Sequence, residues 1–316
     1  MAPALAGQLG RVDCRLVGGR IKVGAKNIGG QMQSTFRGSG RVQESFALDL
    51  TTVWPKLVYQ ALGSEFEIRL AVSAGEQVSI HRAPQPMVAG TRAAFRQQAD
   101  GGVEFTWSDG TQSVSLAGHT LWHLWLADPD LCARELLPLL RLLHPSWAFD
   151  KQGAAVERAL LAAAEQNWTD RWPRWNELVD QLGDDEYSRR RAADQALRNA
   201  GLAVVPFLQN LDREDLEPEQ RSRVRRIVAS LKRFNEEDTA ARAALWLAGD
   251  PTIWLVLLGR EQPELRRAAA RELPEILGRP IDFDPDADAA TRAGQLARLR
   301  AELTPAAEPA ADEARS

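Results

Sequence analysis

The chain is poor in the residues that usually disclose a function. It holds two cysteines, Cys14 and Cys132, far apart and in no CxxC pair. That excludes a disulfide scaffold and a structural zinc site, and it favours a reducing compartment. The four histidines form no HExxH, and there is no GxSxG elbow and no Walker-type phosphate loop. The common hydrolase and nucleotide-binding signatures are therefore missing. No apolar run reaches the roughly 18 residues that a membrane-crossing helix needs, so no transmembrane segment is expected. Charge of one sign is lacking too: 39 Lys and Arg against 43 Asp and Glu leave a net charge of -4. The chain as a whole has no electrostatic case for nucleic acid or anionic lipid. Tyrosine occurs twice, against ten tryptophans, a ratio that predicts large apolar contacts where elements meet.

What is present is ordinary globular composition over 316 residues, enough for one large domain or two average ones. The start, "MAPALAGQLG", has Ala4-Leu5-Ala6 before Gly7, the small-x-small form of a signal-peptidase site. No charged or long apolar segment precedes it. Residues 1–8 are read as a flexible N-terminus and the compartment as cytoplasmic. The alternative is export, if the stretch is the remnant of a signal.

Two hydrophobic periods divide the chain. Residues 9–117 alternate as strands do: Phe66, Ile68, Leu70 and Val72 in one run, Phe46, Leu48 and Leu50 in another. Gly18-Gly19 and Asp109-Gly110 sit between alternating runs as hairpin turns. "VWPKLVYQALG" at 53–63 breaks the alternation and its spacing suits a short helix. From 118 the period becomes helical. Asp128 and Pro129 open an apolar stripe of Cys132, Leu136, Leu139, Leu140 and Leu143. Helices are predicted at 151–167, 174–183, 187–200, 203–211, 217–233, 238–248, 251–258, 262–278 and 288–303. The fold class expected is α+β: a β-rich N-terminal domain (9–117), a helical seam (118–150), an all-α helical domain (151–303) and a disordered tail (304–316).

The helices repeat one another. "RRRAADQAL" at 189–197 and "LRRAAAREL" at 265–273 agree at Arg190/Arg266, Arg191/Arg267, Ala192/Ala268, Ala193/Ala269 and Leu197/Leu273, and each run ends in a glycine, Gly201 or Gly278. None of these helices hides its apolar stripe alone, which is the logic of stacked repeats. The stretch "LGDDEYSRRRAADQALRNAGLAVVPFLQNLD" resembles HEAT-type helical repeats of bacterial proteins, through Asp184, Asp185, Arg191, Ala192, Ala193, Gly201, Pro206 and Leu208. The resemblance covers about residues 180–300. With one clear unit and one degenerate one it implies a compact HEAT-like helical domain, not a long solenoid, and it carries no particular activity. A DNA-reading helix-turn-helix fits poorly, because the second helix carries no cation and opens on Pro206 and Phe207.

Several small groups invite chemistry. His119 and His123, four apart, would share a helix face and are the candidate metal pair, though a site needs further ligands. Asp282, Asp284, Asp286 and Asp288 look like the start of a calcium loop, but Ala287 and Ala293 stand where that loop needs Gly and Glu, so a helix-capping turn is the expectation. "RGSGRV" at 37–42 lacks the lysine of a phosphate loop and reads as a hairpin. Trp168, Trp172 and Trp175 form a stripe that is either partner-binding or core. Residues 187–233 hold eleven basic residues against six acidic, a face that either tracks phosphates or is simply solvated. The reading is a non-enzymatic protein-interaction scaffold without cofactor. Its partner-binding candidates are Arg190, Arg191, Arg198, Arg223, Arg225, Arg226, Trp172 and Trp175. The alternatives are nucleic-acid association through the basic face at 189–233, and a hydrolase with its site in the seam near His119 and His123.

Overall fold

A computed structural model describes residues 10–37, 42–99, 101–165, 171–211, 216–231 and 237–303. The expected flexible start, the tail from 304, Trp168, Arg213, Lys232, Arg233 and the centre of the 37–42 hairpin lie outside these residues. The fold is α+β, a β-rich N-terminal region followed by helices.

Strands β1 (Val12–Val17) and β2 (Arg20–Ala25) form an antiparallel hairpin, and the next eight strands form one antiparallel meander. They are β3 (Gln31–Arg37), β4 (Gln43–Asp49), β5 (Lys56–Leu62), β6 (Phe66–Ser73), β7 (Gln77–Pro84), β8 (Arg92–Gln97), β9 (Val103–Ser108) and β10 (Ser113–Gly118). The register places one row of side chains across the whole sheet: Ser34, Phe46, Tyr59, Leu70, Ile80, Phe95, Phe105 and Leu116 are successive cross-strand partners. Phe46 through Phe105 in this row are at most 3% exposed. Cross-strand contact between such large groups is what holds a meander together.

The helix expected at 53–63 is instead β5, in the middle of the sheet. Leu57, Tyr59 and Ala61 face inward, while Val58 and Leu62 stand on the outer face, 55% and 40% exposed. Two apolar residues at solvent-side positions obscure the alternation.

The row beside the aromatic one contains Leu48, Leu57, Val72, Val78, Gln97 and Val103. Its polar member, Gln97, is 1% exposed. Its amide imitates a strand: the oxygen accepts from Ile21 N (2.9 Å), and the nitrogen donates to Ile21 O (2.8 Å) and Glu76 O (2.6 Å). The β1–β2 hairpin is thereby fixed to the sheet, helped by Val23 N donating to Gly75 O (2.7 Å) and by the guanidinium of Arg20 on the carbonyls of Gln98 and Gly101.

The helices are α1 (Leu121–Ala127), then α2, which starts at Pro129–Leu131, widens into a π turn at Cys132–Leu136 and resumes over Leu137–Leu140. Asp128 caps α2 by accepting from Leu131 N at 2.9 Å. Pro138, which has no N–H to give the preceding turn, stands two residues after the π segment ends at Leu136. After it come α3 (Phe149–Glu165), α4 (Trp172–Gln181), α5 (Tyr187–Asn199), α6 (Val204–Asn210), α7 (Pro218–Leu231), α8 (Ala240–Leu247), α9 (Pro251–Leu257), α10 (Pro263–Leu277) and α11 (Ala289–Leu303). No described helix is long and apolar enough to cross a membrane.

These helices contribute to two cores. One runs without interruption from the hairpin and sheet through α1–α3 and α8–α11, and includes an aromatic knot in which Phe149 meets Trp122, Trp125 and Trp147 at 5.4–5.7 Å. The other belongs to α4–α7 and gathers Trp175, Val179, Leu197, Phe207, Ile227 and their neighbours. The chain thus leaves the first core after α3, builds a four-helix unit and returns at α8.

Matched positions in the two repeat stretches behave alike. Arg190 donates to the carbonyls of Asp184 and Asp185 (2.7 and 2.8 Å), and Arg266 to those of Arg260 and Glu261, in both cases six and five residues upstream. Gly201 and Gly278 both take positive φ (69° and 63°) where their helices end.

Replacing Gln97 with Leu strands the buried Ile21 N and O and removes a donor from the partly buried Glu76 O, each buried orphan costing on the order of 1–3 kcal/mol. Denaturant unfolding of Gln97→Leu should show a loss of roughly 3 kcal/mol or more. A loss below about 1 kcal/mol would mean the hairpin is held by its apolar contacts alone.

Candidate functional site

The hairpin turn, the start of α1 and the start of α9 converge on a cavity of about 890 Å³ between sheet and helices. Its polar lining includes Lys22, Glu76, His119, Thr120, His123, Asp238, Arg242 and Asp250. That size falls within the range of small-ligand sites, which favour such junctions.

Asp238 organises one wall. Gly18 N and Gly19 N donate to its two carboxylate oxygens (2.8 and 2.6 Å), Trp122 Nε1 donates to the second of these (3.1 Å), and its own N–H donates to Leu16 O (2.8 Å). The Gly-Gly turn predicted from sequence takes positive φ at both residues. Its two N–H groups form a small anion nest for a carboxylate 219–220 residues away. Gly19 is required for closeness as well as for φ, since a Cβ there would meet Thr120 at 2.5 Å and Trp246 at 2.8 Å. Burial pushes the Asp238 carboxyl above its ordinary value, against the bonds from Trp122, Gly19 and Gly18.

Asp250 forms the other wall. It caps α9 by accepting from Thr252 N (2.9 Å) and Thr252 Oγ1 (2.6 Å). Its second oxygen meets His123 Nε2 at 2.8 Å, and His123 Nδ1 meets Thr120 Oγ1 at 2.8 Å. Burial acts to raise the Asp250 carboxyl, but the hydrogen bond and charge of His123 and the two bonds from Thr252 outweigh it and hold the value at about 2. Two carboxylates lining one cavity are thus pushed in opposite directions, a pattern associated with functional sites.

The candidates read from sequence fall in several places. His119 is not on a helix with His123: it precedes Thr120 and Leu121, where α1 begins. The two rings meet edge to face at 5.7 Å. Both ring nitrogens of His123 are engaged, and among the described residues no three His, Cys, Asp or Glu side chains are grouped to hold a metal. Trp175 is 4% exposed and packs on Phe207 in the core of the four-helix unit, and the partly buried Trp172 also packs on Phe207 while touching both cores. Arg190 is committed to the carbonyls before α5. Arg198 pairs with Asp194 and reaches Ser230 on α7, and Arg223 pairs with Glu219. Arg191, Arg225 and Arg226 are exposed and have no ion pair or hydrogen bond among the described residues. Asp288 caps α11 through Ala290 N, and Asp286 pairs with Arg267, as a solvated acidic turn would. Both cysteines are buried, and desolvation raises their thiols to about 12, which leaves them poor nucleophiles.

Sequence reasoning alone misses Thr120, Asp238 and Asp250 as site residues. Thr120 and Asp250 stand directly before helices and look like ordinary caps. Comparisons with known protein families, with curated proteins and with solved structures returned no match.

The ionised Asp250 carboxylate stabilises the fold in full above the ordinary carboxyl value of 3.8, and that contribution disappears as pH falls through about 2. Asp250→Asn should therefore lower the melting temperature at pH 6, by an amount matching about 1–3 kcal/mol. The gap from the wild-type chain should close toward pH 2. A gap independent of pH would show that the charge on Asp250 contributes nothing to the junction.

Proposed function

We propose that this chain is a protein-interaction scaffold with HEAT-like helical repeats, whose four-helix unit α4–α7 takes an acidic partner. One observation supports the reading most directly. The arginines of that unit divide into Arg190, Arg198 and Arg223, which serve the fold, and Arg191, Arg225 and Arg226, which are exposed and bond to nothing among the described residues. Arginine offers a planar fork of donors that fits carboxylates and phosphates alike. A unit with its own core keeps such a surface in shape without support from the sheet. The matched behaviour of Arg190 and Arg266 supports the repeat reading. Nucleic acid is the second reading, because phosphate would suit the same three side chains.

The test is a pull-down of tagged full-length protein from its host, eluted in salt steps, beside the variant Arg191→Glu/Arg225→Glu/Arg226→Glu. These positions spare Arg190, whose loss would disturb the turn before α5. An acidic protein retained by the wild type, and bound at least about tenfold more weakly by the triple variant, supports the scaffold. Nucleic acid released early in the salt series would replace it by the second reading, provided the triple variant shows a salt slope shallower by about 0.9 for each phosphate it no longer neutralises. Equal retention by both proteins would remove the arginine surface from consideration.

A further inference from the structure

The junction cavity, which Leu202, Val205, Pro206 and Leu231 of the four-helix unit also line, carries an inference that does not rest on the exposed arginines. Thr120 is the N-cap of α1, a position whose hydroxyl ordinarily accepts from a backbone N–H of the first turn. Here it makes no capping bond and is directed to His123 Nδ1 at 2.8 Å. With Asp250 ionised, the His123 Nε2 nitrogen donates to it, so in the neutral imidazole Nδ1 holds the lone pair and the Thr120 hydroxyl is the donor. Hydroxyl, imidazole and carboxylate are thereby joined in the order of a nucleophile, its general base and the group that orients the base, with the two ring nitrogens exchanged relative to the serine-protease arrangement.

Two glycines make the arrangement sterically feasible. A Cβ on Gly118 would lie 2.4 Å from His123 Cβ, and one on Gly19 would lie 2.8 Å from Thr120 Oγ1. The three residues line the cavity together with Arg242, whose positive charge suits an anionic intermediate, while Lys22, also in the lining, is paired with Glu76 at 3.1 Å.

We propose that Thr120 is the nucleophile of an acyl-transfer site that hydrolyses small esters or thioesters in the junction cavity. The Thr120 oxygen attacks the carbonyl carbon while its proton passes to His123 Nδ1. The carbon–oxygen or carbon–sulfur bond breaks, and the departing alcohol or thiol takes that proton. A threonine ester is left. Water then attacks the ester, His123 Nδ1 accepts the water proton and returns it to Thr120, and the carboxylic acid departs. The net change is ester plus water to acid plus alcohol, with no redox partner required. Asp250 is a positioning residue that holds the imidazole in the tautomer the step needs.

The experiment uses the full chain with p-nitrophenyl acetate as substrate and a fluorophosphonate as covalent probe, the adduct being located by peptide mass spectrometry. The expected result is hydrolysis above the buffer rate and an adduct on Thr120. Thr120→Val and His123→Gln should each reduce the rate about 10²-fold or more, and Thr120→Ser should label faster because its primary hydroxyl is less hindered. Circular dichroism and melting curves confirm that each variant is folded. If the folded wild type and the folded Thr120→Ser chain both remain unlabelled and hydrolyse no faster than buffer, the proposal is overturned. It is equally overturned if Thr120→Val keeps the wild-type rate, or if the adduct lies elsewhere. Neither result bears on the arginine surface.

Discussion

Much of this architecture depends on one partly buried carboxylate. Asp238 accepts from both N–H groups of the Gly18-Gly19 turn and from the indole of Trp122, and so joins the first hairpin, the first helix and the entry to α8 at one point. Its burial is unfavourable for a charge, as the upward push on its carboxyl shows, and three donors aimed at two oxygens compensate. Without that contact the N–H of buried Gly19 would lose its partner, while that of exposed Gly18 would be left to solvent. The wall of the cavity, the packing of Trp246 over Gly19 and the placement of Thr120 all follow from the turn being held there.

The sheet shows the same economy of polar groups. One row of large side chains crosses seven of the eight strands of the meander, β4 to β10, and the neighbouring row is apolar except for Gln97, whose amide substitutes for a strand edge. Another inner position, Arg82, pairs with Glu135 of α2 at 2.5 Å, so charge on the inward face also points at a specific partner. A polar residue in such a row specifies which element may lie on the sheet, because a misplaced hairpin would leave it unsatisfied.

The helices are largely legible in the sequence, since caps such as Asp128 and Asp250, first-turn prolines and glycine stops are local signals. Strand β5 is not, because Val58 and Leu62 place apolar groups on the outer face and spoil the period that distinguishes strand from helix. The site is half legible. His123 is conspicuous, but its partners are not: Asp250 lies 127 residues away, and the spacing of His119 suggests a helix face that begins only at Leu121. The basic run is visible as composition. Which arginines serve the fold depends on carbonyls and acids around them, and only the three-dimensional arrangement separates Arg190 from Arg191.

The two cores have a consequence for how the polypeptide is made. The first core draws on residues 12–165 and again on 240–303, while the second is complete within α4–α7. A nascent chain leaving the ribosome presents the sheet and α1–α3 well before α8–α11 exist to cover them, and Asp238 emerges 219 residues after the glycine it must engage. The four-helix unit, built from near neighbours in sequence, closes quickly, whereas the larger core waits for distant contacts. During that interval α1 can already pack on β9, β10 and α3, whereas the faces of α1 and α3 that meet α9, α8 and α10 have no partner until those helices emerge.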